Sequence, residues 1–249
     1  MELAIITGTS RGLGQAIAEQ MLEKGIHVYG VSRQENKSLK EKVENHGVNY
    51  QHFLCDLSST SSVDELNKHL IKNIKETEPS KIYLIQNAGV VNPIETVGNM
   101  ESEEIVNHVH VNLIAPMIIA NTFLKELPQT EMVIVNVTSG AAQRSVHGWS
   151  VYGSTKAAID RFTETTGLEQ DQKQTGNQVL AFSPGIIDTD MQGDIRSSTE
   201  EAFQDVEKFK EYKEKGLLRT PATVAGALMN LLFNHSFENG KVHRVDNFL

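Results

Sequence analysis

The 249-residue chain has a single cysteine, Cys55. One thiol excludes an intramolecular disulfide and any cysteine-clustered metal site. Its place at the end of an apolar run makes it, most simply, a small buried hydrophobe. Basic charge is also scarce: 23 Lys and Arg stand against 32 Asp and Glu, a formal net charge of −9, which argues against a general nucleic-acid binder. No apolar run is long enough to cross a bilayer. The chain opens directly into a strand-like segment, Leu3 to Thr7, so a cytoplasmic protein without a signal peptide is expected. No linker rich in Pro, Gly or Ser divides the chain and no repeat recurs, so residues 1–249 are expected to form one domain. The nine histidines show no metal-ligand spacing. His108 and His110, two apart on a helical pattern, point to different sides, and no metal is expected.

What is present is a regular alternation. Short β-branched runs at Leu3–Thr7, His27–Val31, Tyr50–Cys55, Ile82–Gln86, Met132–Asn136 and Gln178–Phe182 are separated by helical patterns. Helices are expected over Gln15–Lys24, about Ser102 to Leu127, from Tyr152 to Gln170, and from Ser197 to Lys215. The strands are near-continuous apolar runs, as expected when helices cover both faces of a parallel sheet. The fold class is therefore α/β, a doubly wound parallel sheet of Rossmann type.

Between the first strand and the first helix lies Thr7-Gly-Thr-Ser-Arg-Gly-Leu-Gly14. Glycines at such a junction let the backbone approach a pyrophosphate, and the helix that follows aims its N-terminal N–H groups at it. A lone glycine pattern is weak evidence, since a tight helix-entry turn also uses one. No Lys-Ser/Thr follows the glycines, which excludes a P-loop NTPase. An NAD site usually ends its second strand on an acidic residue that binds the adenosine ribose. Here that strand ends Gly30-Val-Ser-Arg33, with no carboxylate. Arg33 and Arg11 together suit a 2′-phosphate, because guanidinium matches phosphate oxygens bidentately. They are otherwise two solvated surface arginines. NADPH/NADP+ is the favoured cofactor.

Further on, Ser139 ends the fifth strand, at the sheet edge where open α/β proteins bind ligands. Tyr152 and Lys156 sit four apart and share a helical face. A phenol titrates near pH ~10, and a neighbouring ammonium is expected to lower that value. A solitary Y-x-x-x-K is common and carries little information.

Taken together, these motifs resemble the short-chain dehydrogenase/reductase family over nearly the whole chain. Gly8, Gly12 and Gly14 match its T-G-x-x-x-G-x-G turn. Asp56-Leu57 matches its adenine-contacting position and Asn87-Ala88-Gly89 its N-A-G. Asn112 matches its structural asparagine, and Pro184-Gly185 with Thr189 the segment that closes over the nicotinamide. The resemblance implies a catalytic set of Asn112, Ser139, Tyr152 and Lys156. Its implied cofactor site comprises Gly8, Ser10, Arg11, Gly12, Leu13, Gly14, Ser32, Arg33, Asp56, Leu57, Asn87, Ala88 and Gly89, with Tyr152, Lys156, Pro184, Gly185, Ile187 and Thr189. In the implied chemistry a hydride passes to a carbonyl carbon, Tyr152 protonates the alkoxide, Ser139 polarises the carbonyl and Lys156 grips the ribose. Asn112 would hold a water that links Lys156 to solvent.

Gly148-Trp149, three residues ahead of Tyr152, and the ending Val245-Asp246-Asn-Phe248 resemble the sepiapterin reductase branch of the family, which includes bacterial benzil reductases. That likeness implies reduction of a small aromatic or 1,2-dicarbonyl ketone. It makes Ser139, Gln143, Trp149 and Asp246 substrate candidates; Asp246 is otherwise a plain surface aspartate near the C-terminus. Residues 186–216 would form a substrate lid, with Phe203 and Phe209 as further pocket candidates. The apolar residues of the helices over 102–127 and 152–170 would pair subunits into a homodimer or homotetramer. An NAD-linked alcohol dehydrogenase and a non-catalytic cofactor sensor are the competing readings. The two arginines count against the first and the intact catalytic set against the second.

Overall fold

The computed structural model describes residues 1–43 and 47–249. Its strands are β1 (Glu2–Thr7), β2 (His27–Ser32), β3 (Tyr50–Leu54), β4 (Lys81–Gln86), β5 (Glu131–Val137), β6 (Gln178–Ser183) and β7 (Val242–Arg244). Among the described residues they form one parallel sheet in the order β3-β2-β1-β4-β5-β6-β7. The order reverses direction between β1 and β4, so the crevice beyond their carboxyl ends is where such a sheet binds a ligand.

The sequence reason is visible in β1. Leu3 and Ile5 join the core on one face of the sheet, whereas Ala4 and Ile6 join the core on the other, and all four are fully buried. A strand alternates its side chains with period two, so burial on both faces requires an unbroken apolar run. Each such buried aliphatic side chain contributes about 1.5–3 kcal/mol.

The helices are α1 (Gly12–Glu23), α2 (Lys37–Val43), α3 (Thr60–Thr77), α4 (Ser102–Val109), α5 (Ala115–Glu126), α6 (Ser150–Lys173), α7 (Asp190–Arg196), α8 (Val206–Glu214) and α9 (Pro221–Asn234). Residues of α1 and α9 pack on one face of the sheet, and residues of α3 and α5 on the other. A third apolar cluster lies apart from these two. It joins Trp149 and Tyr152 to Ile195, Phe203, Val206 and Phe209.

Three sequence expectations change. The helix expected over 102–127 is interrupted by a π turn at His110–Ile114, which separates α4 from α5. One extra residue in a turn leaves the apolar periodicity almost intact, so the pattern alone does not reveal it. The helix expected from Ser197 to Lys215 is confined to Val206–Glu214. The preceding residues instead bend inward, where Phe203 is fully buried and packs on Trp149. Finally, the sequence pattern does not mark α2, α3, α7, α9 or β7, and β3 stops at Leu54, one residue short of Cys55.

Candidate active site

The glycine turn connects β1 to α1. Gly8 has φ +78° and its N–H donates to the Val31 carbonyl at 2.7 Å. A Cβ on Gly14 would collide with the Gly8 carbonyl oxygen, and one on Gly8 would stand 2.9 Å from Asn87 Nδ2. Only glycine lets the turn fold this tightly against the loop after β4. That loop is tied back by Thr7, whose Oγ1 accepts from the N–H groups of Asn87 and Ala88, both at 3.0 Å, while Asn87 Nδ2 donates to the Thr7 carbonyl at 2.9 Å. No side chain caps the start of α1, so its first N–H groups face the turn, an arrangement suited to a phosphate. Leu13 is buried beneath the turn, and the Ser10 carbonyl accepts from Asn36 Nδ2 at 3.1 Å.

The two arginines are both exposed. Arg11 pairs with Asp190 at 2.7 Å, across to the first residue of α7. Arg33 follows Ser32, whose hydroxyl donates to the Gln34 carbonyl at 2.8 Å and lies 3.1 Å from His52 Nε2. The Asp56 carboxylate accepts from the N–H and hydroxyl of Ser58 at 3.0 and 2.8 Å. These bonds hold its carboxyl below the usual carboxylate range, with a smaller contribution from the charge of Arg33. Leu57 is buried and its carbonyl accepts from His110 Nδ1 at 2.8 Å.

The proposed catalytic groups converge at the carboxyl end of β5. Lys156 is 6% exposed; its Nζ donates to the Val137 carbonyl at 2.9 Å and lies 5.8 Å from the centre of the Tyr152 ring. Burial drives its ammonium down to about 8, opposed by the charge of Asp160 one helical turn on. Tyr152 is buried too, and burial raises its phenol, while the Ser139 side chain works in the other direction. The sequence expectation that Lys156 lowers the phenol is therefore reversed here. The ammonium is engaged with a backbone carbonyl, and loss of hydration dominates the tyrosine. Asn112 sits in the π turn, with Oδ1 accepting from Val90 N–H and Nδ2 donating to the Val90 carbonyl, each at 2.8 Å. A Cβ on Gly89 would lie 3.3 Å from Asn112 Oδ1 and 3.6 Å from Lys156 Nζ, so the Asn87-Ala88-Gly89 loop directly borders the catalytic groups.

Pro184 and Gly185 follow β6, and the Arg219 guanidinium lies over Gly185, 2.6 Å from where a Cβ would stand. Ile187 bridges to Arg219, and Thr189, the N-cap of α7, approaches Gly12. The substrate candidates separate. Trp149 meets Tyr152 edge-on at 5.3 Å between ring centres and stacks on Phe203 at 4.9 Å. Phe209 closes the same aromatic group, 5.6 Å from Trp149. Gln143 is instead exposed and donates to Asp160 Oδ2 at 3.0 Å. Asp246 is exposed and ion-paired with Arg219.

Four residues outside the expected site set also shape it. Thr7 ties the two loops together, Asp160 faces Lys156, Arg219 covers Gly185, and His108 contacts Asn112. Thr7 stands in the T-G-x-x-x-G-x-G turn and Asp160 lies four residues from Lys156 on a helix, whereas Arg219 and His108 carry no such signal. His108 and His110 do turn to different partners, as expected. Among the described residues no His, Cys, Asp or Glu cluster suits a metal ion, and no helix is long and apolar enough to cross a membrane.

Residues 2–200 match the family described as short chain dehydrogenase. The chain is 40% identical over 248 residues to a benzil reductase ((S)-benzoin forming) of Bacillus cereus, covering 99% of this chain and all of the relative. It is 28% identical to the sepiapterin reductase of Xenopus laevis over 251 residues, 96% of this chain and 93% of that one. A short chain dehydrogenase/reductase from Saccharomyces cerevisiae superposes with a TM-score of 0.84 at 26% identity, over the full length of both chains. With its glycine turn, tyrosine and lysine assembled on a doubly wound sheet and its sequence matched to these relatives end to end, the chain belongs to the short-chain dehydrogenase/reductase family and is an oxidoreductase of the C=O/CH–OH pair that uses a nicotinamide dinucleotide.

Proposed function

We propose that the chain is an NADPH-dependent carbonyl reductase that converts one ketone of a small aromatic or 1,2-dicarbonyl substrate, of the benzil or sepiapterin kind, to a secondary alcohol. The observation that carries this reading is the buried Tyr152 phenol, which feels the Ser139 side chain and is set directly against Trp149. The names borne by the Bacillus cereus and Xenopus laevis relatives support the same substrate class.

The nicotinamide, when bound, supplies the hydride. Gly8, Gly12 and Gly14 with the open start of α1 would hold its pyrophosphate, and Arg11 and Arg33 the 2′-phosphate. Asp56, Leu57 and Asn87-Ala88-Gly89 would border the adenosine, and Pro184-Gly185, Ile187 and Thr189 the nicotinamide. Ser139 donates to the carbonyl oxygen and polarises it. Tyr152 gives its proton to that oxygen as charge develops, and a phenol raised by burial is present in the protonated form this direction requires. Lys156 places a cation beside the developing phenolate. Beneath it lies a cavity of about 10 Å³ lined by Gln86, Asn112, Asn136 and Lys156, where Gln86 Oε1 is buried without a protein partner. The size and polarity suit a single water able to return a proton to the tyrosine.

Trp149, with Phe203 and Phe209 beside it, would present an aromatic wall to an aromatic ketone, and residues 186–216 would serve as the lid. Exposed apolar residues on the π turn and the helices beside it (Val106 at 65%, Leu168 at 56%, with Ile114 and Met117) suit pairing of two copies. NADPH oxidation across benzil, sepiapterin, simple quinones and aliphatic ketones tests the reading. Turnover of an aromatic dicarbonyl with NADPH well ahead of NADH is expected. Equal use of both cofactors, or turnover confined to aliphatic ketones, would refute it.

A further inference from the structure

His108 is fully buried and contacts all three segments that frame the proposed catalytic groups. Its Nδ1 lies 2.6 Å from the Asn92 carbonyl, in the loop that continues from Asn87-Ala88-Gly89. Its Nε2 lies 2.8 Å from Asn112 Nδ2 and 3.1 Å from Thr155 Oγ1, the residue before Lys156. The ring also meets Tyr152 edge-on, 6.0 Å between centres at 87°.

These contacts fix the proton. A carbonyl only accepts, so Nδ1 carries the hydrogen. The Asn112 amide cannot be reversed, because its oxygen accepts from Val90 N–H and its nitrogen donates to the Val90 carbonyl. Its second N–H therefore points at Nε2, which must be the bare acceptor. Protonation would set N–H against N–H. Nε2–H would turn to Thr155 Oγ1, which is free to accept because its own hydrogen serves the Tyr152 carbonyl at 2.9 Å, and Asn112 would lose its acceptor.

We infer that His108, as the neutral Nδ1–H imidazole, is the positioning residue that ties Asn112 to the Asn92 loop, and that its protonation releases Asn112 by turning Nε2–H to Thr155. The inference rests on the reductase reading of this site. Among the groups on the elements packed around it, Lys156 on α6 opposes a second positive charge, and Tyr152 presents only its ring. His110, on the same helical stretch, is turned away to Leu57 and Thr60. Burial and the Lys156 charge both hold the imidazole below its ordinary value, outweighing the bond to Asn92, so the neutral form prevails at neutral pH.

The test compares wild type with His108→Leu and His108→Gln, using benzil and NADPH across pH. His108→Leu is expected to lower kcat by about tenfold to a hundredfold, the scale of a misplaced reacting group, with NADPH Kd unchanged. His108→Gln keeps an acceptor for Asn112 that does not titrate. It is expected to restore part of kcat and to abolish the acid limb of the wild-type profile. Full activity in His108→Leu, or an unchanged acid limb in His108→Gln, would overturn the inference. Imidazole 15N shifts of the wild-type protein give a readout independent of turnover. The Nδ1–H tautomer supports the inference and the Nε2–H tautomer overturns it. Absence of turnover in wild type alone would count against the reductase reading and leave this second readout standing.

Discussion

Arg11, in the middle of the glycine turn, is ion-paired with Asp190 at the start of α7 at 2.7 Å. The pair connects the glycine turn to the start of the segment proposed as the lid. A 2′-phosphate arriving at Arg11 must compete with the Asp190 carboxylate. Both side chains are about 70% exposed, so the pair is worth roughly 0.2–1 kcal/mol. Asp190→Asn should therefore lower the KM for NADPH a few-fold at low salt and leave that for NADH unchanged. A rise in the NADPH KM would show that Arg11 does not serve the phosphate.

Lys156, driven down to about 8, is protonated below that pH and loses its charge above it. If its cation supports the tyrosine, kcat/KM should fall as pH rises through about 8. Asp160 raises the lysine value, so Asp160→Asn should move this basic limb to lower pH. A limb that stays in place would free Asp160 of any electrostatic role.

Asp246 can be an anchor for substrate or a brace for Arg219 above Gly185. The ion pair favours the brace. Asp246→Ala should then raise the NADPH KM more than the carbonyl KM, because the freed Arg219 no longer fixes the Pro184-Gly185 segment. The opposite pattern in steady-state kinetics would restore Asp246 to the substrate pocket.

Phe203 is fully buried against Trp149 and Phe209. Phe203→Ala should cost about 3–5 kcal/mol of local or global stability. It should also raise the KM for an aromatic ketone, while Phe203→Leu retains most of the stability. Thermal unfolding followed by the fluorescence of Trp149, the only tryptophan, would measure the first effect directly. A change below about 1 kcal/mol would mean the lid packs elsewhere.

What the sequence made legible was local. The turn at Gly8, Gly12 and Gly14 stands in one unbroken stretch, and Tyr152 and Lys156 are one helical turn apart, so their chemistry could be read without knowing the fold. The apolar runs of β1, β4 and β5 similarly announced a sheet buried on both faces. What remained hidden depends on chain segments far apart. His108 reaches Thr155 across 47 residues, and Arg219 reaches Asp246 across 27. Burial was equally invisible. The spacing of Tyr152 and Lys156 suggested a lowered phenol, whereas the folded chain buries both and raises it. The π turn escaped because it shifts the register of one side chain, Asn112, without altering the apolar pattern.

The most direct measurement is the turnover of Tyr152→Phe with benzil and NADPH, paired with its NADPH affinity. Loss of the proton donor should lower kcat by roughly 10²–10⁴-fold, with NADPH Kd within about twofold of wild type, since no cofactor charge is altered. A Tyr152→Phe enzyme that kept a kcat near the wild-type value would contradict the proposed chemistry.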